Sequence, residues 1–412
     1  AAAVVHCEAT VANAQSSSAA PILRATVRDA AGAVVGTAAT APLQIAPSSN
    51  ATASLRVVLS DVELWSVARP YMYSVDFEVM SSGTVDAVTV DTGFKSVEFD
   101  ASDGLHMNGE RVKIRGFCDH DNFGAVGGAV PDRIDLYRAQ LLRTVGGNAW
   151  RMAHNPPAPH RLEIMDRLGM LALDENRDYG GKIGQGGITK ETVADELIDM
   201  AALVRRDRSH PSVFAWSFCN EGGCKNESAA AAFRAVAYAN DGTHPVTQNH
   251  LGTGAHPLST ASLDVQGFSH KQGDTLDQFH ADNPTEPEMA TECCSCLSQR
   301  GEDFDACPDP RSGKGNDTHN WCGGATGSET KSNGTFYNNE IGQCTAEQVN
   351  ISDSRDFVAG TFVWSGFDYL GESRGWPQTV KCRGVVADAA GFLKESYWWM
   401  RSWWLSRVPL SD

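Results

Sequence analysis

The chain has 412 residues, of which 42% are hydrophobic, and its 34 basic and 51 acidic side chains give a formal net charge of −17. A chain of this length is expected to form two or three domains, or one barrel with an accessory domain. The acidic balance argues against nucleic acid or an anionic membrane surface as a partner, and the sequence has no apolar run of about 18 residues that could span a membrane, so a small neutral substrate fits best.

Residues 1–98 are predicted to form an immunoglobulin-like β-sandwich. Turn residues such as Ala31 and Gly32 separate short segments in which polar and apolar residues alternate, and no helical periodicity competes with them. The predicted strands are ILRATVRD (22–29), SLRVVLSDVELW (54–65) and YSVDFEVM (73–80). About ninety residues with this pattern suit one antiparallel sandwich domain.

Residues 99–412 are predicted to form a (β/α)8 barrel, because short apolar runs alternate there with amphipathic segments. The eight predicted strands are VKIRGF (112–117), NAWRMA (148–153), MLALDE (170–175), VFAWSF (213–218), PVTQN (245–249), DVQGFS (264–269), EMAT (288–291) and AGTFVW (359–364). Amphipathic segments follow Pro131 and Thr189. A polar stretch rich in Gly, Asn and Cys, at about 301–345, is predicted to be an insertion after the seventh strand.

Polar side chains stand at or just after the carboxyl ends of most of these strands, at the end of the barrel where active sites are built. They are Asp119, His120, Arg151, His154, Asn155, Asp174, Glu175, Asn176, Asn220, Glu221, Asn249, His250, His270, Glu292 and Asp368, together with Trp364. Carboxylates, imidazoles and amides suit the hydroxyl groups of a sugar, and a Trp can stack on the face of the sugar ring. This set of residues indicates a carbohydrate site.

Two of these residues, Glu221 after the fourth strand and Glu292 after the seventh, predict hydrolysis of a glycosidic bond. The reaction needs one protonated carboxyl group and one ionised carboxylate, and a separation of about 5–5.5 Å predicts retention of configuration through a glycosyl-enzyme intermediate. Two neighbouring carboxylates also push their pKa values apart. Alternatively, Glu221 could only stabilise a helix amino terminus, and Glu292 could be an ordinary surface acid.

Five segments resemble glycoside hydrolase family 2, above all its β-galactosidase-like members: NAWRMAHNPPAPHRLEIMDRLGMLALDEN (148–176), HPSVFAWSFCNEG (210–222), DVQGF (264–268), ATE (290–292) and FVWSGFDYLGE (362–372). The resemblance spans about residues 55–405. It implies a retaining glycosidase whose substrate is a β-D-galactoside or a related β-glycoside, and a homo-oligomer is a possible form of the chain.

The resemblance also implies individual roles. Glu221 matches the family's acid/base and Glu292 its nucleophile, while Asn220 matches the residue that hydrogen-bonds the sugar 2-hydroxyl. Arg151 matches an arginine that supports the nucleophile. The other implied substrate-binding residues are His120, His154, Trp364, His270, Asp119 and Asp368. His270 departs from the family, because many relatives have a Tyr there that hydrogen-bonds the nucleophile, and the family's usual amino-terminal jelly-roll domain has no counterpart in this sequence.

No cofactor is expected to be required. Some relatives hold Mg²⁺ or Na⁺ near the acid/base, but no ligand set for either ion is identified in this sequence. Asp119, His120 and Asp121 could be ligands of a metal-dependent hydrolase together with His154 and His250. The lack of any His-x-His pair disfavours that interpretation.

Three alternative functions remain open. β-Glucuronidase would need cationic contacts to the sugar carboxylate, and the Asn-x-Lys motif of such enzymes is absent from this sequence. β-Mannosidase is a second alternative, and a catalytically inactive carbohydrate-binding relative is a third. Clustered cysteines and five N-glycosylation sequons, at 50, 226, 316, 333 and 350, favour a secreted or vacuolar compartment with disulfides.

Overall fold

The structure is a computed structural model that describes residues 1–177, 193–221, 227–250, 262–271, 273–294, 349–370, 380–381, 383–389 and 391–406. The chain divides into two compact units, Ala1–Ser96 with Ser209–Pro211, and Val97–Arg208 with Ser212–Asp412. Among the helices described, none is both long enough and apolar enough to cross a membrane. The predicted insertion at 301–345 lies outside the described residues.

The first unit contains two antiparallel sheets, as predicted for a sandwich. One sheet pairs β1 (Ala3–Asn13) with β4 (Ser49–Leu59), and the other has the strand order β3-β2-β5-β6. The bounds of these four strands are β2 Ile22–Arg28, β3 Val34–Ala39, β5 Tyr73–Met80 and β6 Thr84–Thr92. Alternate residues of β2 and β4 are buried and share one core, including Leu23, Val27, Leu55 and Val57. The immunoglobulin-like sandwich is therefore confirmed.

The strands that were not predicted in this unit carry little hydrophobic signal. Most residues of β3 and β6 are exposed, and β1 has His6 and Glu8 within its run. The predicted strand at 54–65 is displaced, because the observed β4 ends at Leu59. An exposed strand is held by its backbone pairing, which leaves little trace in the side-chain pattern.

The second unit begins with a small antiparallel sheet of β7 (Val97–Asp100), β8 (Gly104–Met107) and β9 (Glu110–Arg111). Eight parallel strands then form a closed barrel in chain order, because β10 pairs with β17 as well as with β11. The bounds are β10 Ile114–Asp119, β11 Ala149–Met152, β12 Leu171–Glu175, β13 Val213–Glu221, β14 Val246–His250, β15 Gln266–Ser269, β16 Glu288–Cys294 and β17 Val358–Trp364. Each overlaps one of the eight predicted strands, and the (β/α)8 barrel is confirmed.

Helices connect the strands on the outside of the barrel. They are α1 Asp132–Thr144, α2 Pro159–Leu168, α3 Val193–Asp207, α4 Glu227–Asn240, α5 Gly273–Asp282 and α6 Glu395–Leu405, and a short hairpin of β18 (Tyr369–Leu370) and β19 (Val380–Lys381) follows β17. Helix α2 stops after Leu168 because Gly169 takes φ +67°, a left-handed conformation that favours glycine. Buried side chains of these helices and of the strands beneath them form one core, which includes Trp150, Phe218, Phe233, Met200 and Trp404.

A buried acid at the start of β16 makes stability depend on pH. Neither carboxyl oxygen of Glu288 has a hydrogen-bond partner, and burial, reinforced by the charge of Asp277, raises the pKa of Glu288 to about 9. Glu288 in the folded state therefore keeps a proton that the same side chain in the unfolded chain releases near pH 4.5. The contribution of Glu288 to the free energy of unfolding is fully present below that pH and is lost as the pH rises toward 9.

Glu288→Gln is expected to raise the free energy of unfolding by on the order of 2 kcal/mol at about pH 8, and to have little effect at about pH 5. The reason is that glutamine is neutral in both states, so it removes the cost of keeping a protonated carboxyl. Urea denaturation of both proteins at the two pH values measures the difference. If the variant and the wild type have the same free energy of unfolding at both pH values, Glu288 is not held protonated in the folded state.

Candidate active site

The two predicted catalytic glutamates meet at the carboxyl ends of barrel strands. Glu221 is the last residue of β13, and Glu292 lies near the end of β16. A carboxylate oxygen of each, together with a ring nitrogen of His270, lie within 4.8 Å of one another. Glu292 is buried, whereas Glu221 is partly exposed. This close approach is compatible with the separation of about 5–5.5 Å between the carboxyl groups of a retaining pair.

Three donors hold the Glu292 carboxylate. His270 Nε2 lies 2.7 Å from Oε1, and Oε2 accepts hydrogen bonds from Arg151 Nη1 at 2.8 Å and from Asn249 Nδ2 at 3.2 Å. Burial alone would raise the pKa of Glu292, but the hydrogen bond and charge of His270 and the charges of Arg151 and His154 hold it well below its usual range. Glu292 is therefore ionised and oriented, as a nucleophile must be.

Arg151 connects this carboxylate to a second one, Glu175. Arg151 is fully buried, and it donates to Glu175 through Nε to Oε2 and through Nη2 to Oε1, each at 2.8 Å. Glu175 Oε2 also accepts a hydrogen bond from Ser217 Oγ at 2.8 Å. Although burial alone would lower the pKa of Arg151, Glu175 and Glu292 raise it, so the guanidinium stays charged. Arg151 thus holds the Glu292 carboxylate from inside the barrel, and its predicted contact with substrate stays a prediction.

Four aromatic rings lie next to each other beside the glutamates. His154 stacks on Trp364 with ring centroids 5.3 Å apart and planes 2° apart, and His120 meets Trp364 edge-on at 4.8 Å. Trp364 Nε1 donates to the hydroxyl of Tyr369 at 3.1 Å. His154 Nδ1 lies 2.9 Å from Glu175 Oε1, so the buried carboxylate orients the imidazole. The structure thus brings the predicted residues His120, His154 and Trp364 together.

Asp119 and Asp368 hold the segment that follows β17. Oδ1 of Asp119 accepts the N–H of Phe367 at 2.8 Å, and Oδ1 of Asp368 accepts from Lys394 Nζ at 2.7 Å and from the N–H of Gly384 at 2.9 Å. Burial raises the pKa of Asp119 to about 7 and that of Asp368 to about 6. The contacts observed are with the protein, and the predicted contacts with a sugar stay predictions.

Three residues of this site were not assigned roles from the sequence. Glu175 and Asn249 stood among the polar residues at strand ends, which was the available signal, but nothing in the spacing paired them with Arg151 or Glu292. Tyr369 lies in the segment FVWSGFDYLGE, five residues after Trp364. The contact of Tyr369 with Trp364 depends on how the chain turns after β17. Asp174 is on the same strand as Glu175, but its carboxyl group interacts with Asp207 of α3. Burial raises the pKa of Asp174 well above the usual range.

The backbone and the cysteines near the glutamates are also unusual. Glu221 and His270 both adopt φ +49°, a left-handed conformation that is uncommon for residues with side chains and occurs at functional sites. Cys219 and Cys293 are each disulfide-bonded, whereas Cys7 and Cys118 are free and buried. The secreted or vacuolar compartment stays a prediction.

Glu221, His270 and Glu292 are close enough to be considered as ligands of a metal ion. The donors on Glu292 argue against this arrangement, because Arg151 and Asn249 already occupy Oε2 and His270 occupies Oε1. The guanidinium of Arg151 would also repel a cation at that oxygen. The expectation that no metal is required stays a prediction.

Both compact units match family models. Residues 100–294 match the model described as "Glycosyl hydrolases family 2, TIM barrel domain", and residues 1–95 match the model described as "Glycosyl hydrolases family 2". A β-galactosidase of Bacteroides ovatus is 28% identical over 86% of this chain and 46% of its own length. A β-glucuronidase of Bacteroides fragilis is 24% identical over 86% of this chain and 51% of its own length.

A solved structure supports the same fold. The crystal structure of a Bacteroides uniformis β-glucuronidase aligns with 99% of this chain and 49% of its own chain, with a TM-score of 0.79 and 19% identity. At that identity the likeness concerns the fold alone. The chain spans about half the length of the curated relatives it matches.

Proposed function

Because the chain belongs to glycoside hydrolase family 2, we propose that it hydrolyses terminal β-linked glycosides, with β-D-galactosides as the preferred substrates, and that it retains the anomeric configuration. The observation that carries this proposal is the approach of the Glu221 and Glu292 carboxylates to within 4.8 Å. Two carboxylates this close can both reach one anomeric centre.

The surroundings of the two glutamates indicate which catalytic role each of them has. Glu292 is buried against Arg151 and His270 and is held ionised, so it attacks the anomeric carbon. Glu221 lies at the more open side and protonates the glycosidic oxygen as the bond breaks. In the second step Glu221 takes a proton from water, which attacks the glycosyl-enzyme and releases the sugar with its original configuration.

The aromatic cluster suits the ring and the hydroxyl groups of a sugar. Trp364 offers a flat surface to the C–H groups of the ring, and His120 and His154 offer ring nitrogens to its hydroxyl groups. When His154 is neutral and donates its Nδ1 proton to Glu175, its Nε2 remains as a hydrogen-bond acceptor. These features need no cofactor.

A β-glucuronide is the second candidate substrate, because a β-glucuronidase is among the relatives with similar coverage of this chain. Its carboxylate would need a cationic partner, and Arg151 is unsuitable, since the side chain is fully buried against Glu175 and Glu292. The absence of an Asn-x-Lys motif also favours the galactoside. A β-mannoside is a further alternative within the family.

A panel of nitrophenyl β-glycosides tests this proposal. We expect the β-galactoside to have the highest kcat/KM, and proton NMR of the reaction to detect the β-anomer of the free sugar first. Preference for the glucuronide or the mannoside would change the proposed substrate and leave the proposed mechanism unchanged. Early formation of the α-anomer would contradict retention. No turnover of any substrate, together with saturable sugar binding, would identify an inactive binding relative.

A further inference from the structure

A buried amide, Asn249, lies between the nucleophile and its neighbour Asn220. Asn249 lies on β14 beside Asn220 of β13 and is 0% exposed. Its Nδ2 donates to Asn220 Oδ1 at 2.6 Å and to Glu292 Oε2 at 3.2 Å. Its Oδ1 accepts from Thr291 Oγ1 at 2.7 Å. Asn249 thus joins three strands of the barrel through hydrogen bonds at both ends of its amide group.

The chemistry of the surrounding groups determines which way both amides face. Arg151 can only donate, and its Nη2 lies 3.0 Å from Asn220, so the atom of Asn220 that faces it must be the oxygen. The ionised Glu292 can only accept, so the atom of Asn249 that faces it must be the nitrogen. The opposite orientation of either amide would place two donors or two acceptors against each other.

This arrangement directs the amide nitrogen of Asn220 away from the protein network. Its oxygen already accepts from Arg151 and Asn249, and within the part of the chain that the structure describes its Nδ2 has no hydrogen-bond partner, although the residue is only 7% exposed. Asn220 directly precedes Glu221 and is linked through Asn249 to Glu292, so its amide group lies close to both candidate catalytic carboxylates.

We propose that Asn249 is a positioning residue that aims the amide nitrogen of Asn220 at the hydroxyl group next to the anomeric carbon of the sugar. The inference rests on the proposed glycosidase activity and deepens it. Asn249 itself does not touch the substrate. Because a donor aimed by rigid neighbours needs no reorientation during the reaction, its hydrogen bond contributes fully to the transition state.

Asn249→Ala, assayed on the best substrate of the panel and on its 2-deoxy analogue, tests this role. The variant is expected to lose about 10- to 100-fold in kcat/KM on the parent substrate, the range for hydrogen bonds that include a charged partner. On the 2-deoxy analogue the loss is expected to be about 5-fold smaller, because the hydroxyl that Asn220 would bind is missing.

Two further variants keep the test decisive. Thr291→Val removes only the hydroxyl that orients Asn249, and it is expected to give the same pattern with smaller losses, so it replaces Asn249→Ala if that variant does not fold. Gln248→Leu is the matched control, because Gln248 is a buried amide on the same strand whose side-chain atoms have no hydrogen-bond partner. Its activity on both substrates is expected to match the wild type.

Equal losses on the parent and 2-deoxy substrates would overturn the positioning role and leave Asn249 as a structural residue. Unchanged activity of both Asn249→Ala and Thr291→Val would overturn it as well. The wild type separates these outcomes from failure of the proposed function, since a wild-type chain that turns over no glycoside would refute the glycosidase activity itself.

Discussion

Glu292→Ala is expected to lower kcat on the best nitrophenyl glycoside by at least about 10⁴-fold, because no covalent intermediate can form without the nucleophile. The vacated space can admit azide, which attacks the anomeric carbon from the same side. We therefore expect added azide to restore consumption of the substrate and to yield the α-glycosyl azide. Absorbance of nitrophenol and NMR of the product measure the two effects.

Glu288→Gln is the matched control for Glu292→Ala. It changes a second buried glutamate on the same strand, at the end of the barrel opposite the catalytic pair, and is expected to leave kcat unchanged near neutral pH. Hydrolysis by Glu292→Ala at the wild-type rate would remove Glu292 from the mechanism. Azide rescue that gave the β-azide would contradict the geometry of a retaining pair.

Arg151→Met is expected to destabilise the fold by about 3–5 kcal/mol, because it leaves Glu175 buried without its ionic partner. It should also lower kcat/KM by about 100-fold or more, since Glu292 loses a donor that holds it in place. The loss of positive charge should raise the pKa of Glu292 and move the acid limb of the activity profile to higher pH. Urea denaturation and a pH series of kcat/KM measure these effects.

The double variant Arg151→Met with Glu175→Gln separates stability from catalysis. Glutamine removes the unpaired buried charge, so the double variant should recover part of the lost unfolding free energy. Its activity should stay low, because the nucleophile still lacks Arg151. If activity and stability recover together, Arg151 serves the fold alone. If stability does not recover, the ion pair with Glu175 is not the source of the destabilisation.

The sequence predicted the barrel well and the sandwich only in part, for a physical reason. Strands of a parallel barrel are covered on both faces, so runs such as VFAWSF are almost continuously apolar and stand out from their flanks. In the sandwich, β3 and β6 expose most of their side chains, and their pairing depends on backbone hydrogen bonds. Such strands carry little signal in the order of residue types.

For the site as well, the sequence predicted some features and not others. Glu221, Glu292, His120, His154 and Trp364 could be identified because each lies at or just beyond the carboxyl end of a strand, and the carboxyl ends of barrel strands share one rim. The contacts among them could not be identified in this way. For Arg151 the resemblance implied support of the nucleophile, but only the structure identified its second ion pair, with Glu175, since both carboxylates meet the guanidinium inside the barrel.

The amino-acid sequence by itself determined the order of the strands, the end of the barrel that carries the polar residues and the two glutamates that meet there. Those features follow from local hydrophobic patterns and from the rule that parallel strands end together. Only the tertiary structure decided how Glu175, Arg151, Glu292, Asn249 and Asn220 share their hydrogen bonds. Hydrogen bonds depend on distances of tenths of an ångström between residues far apart in the chain, and such distances exist only once the barrel has closed.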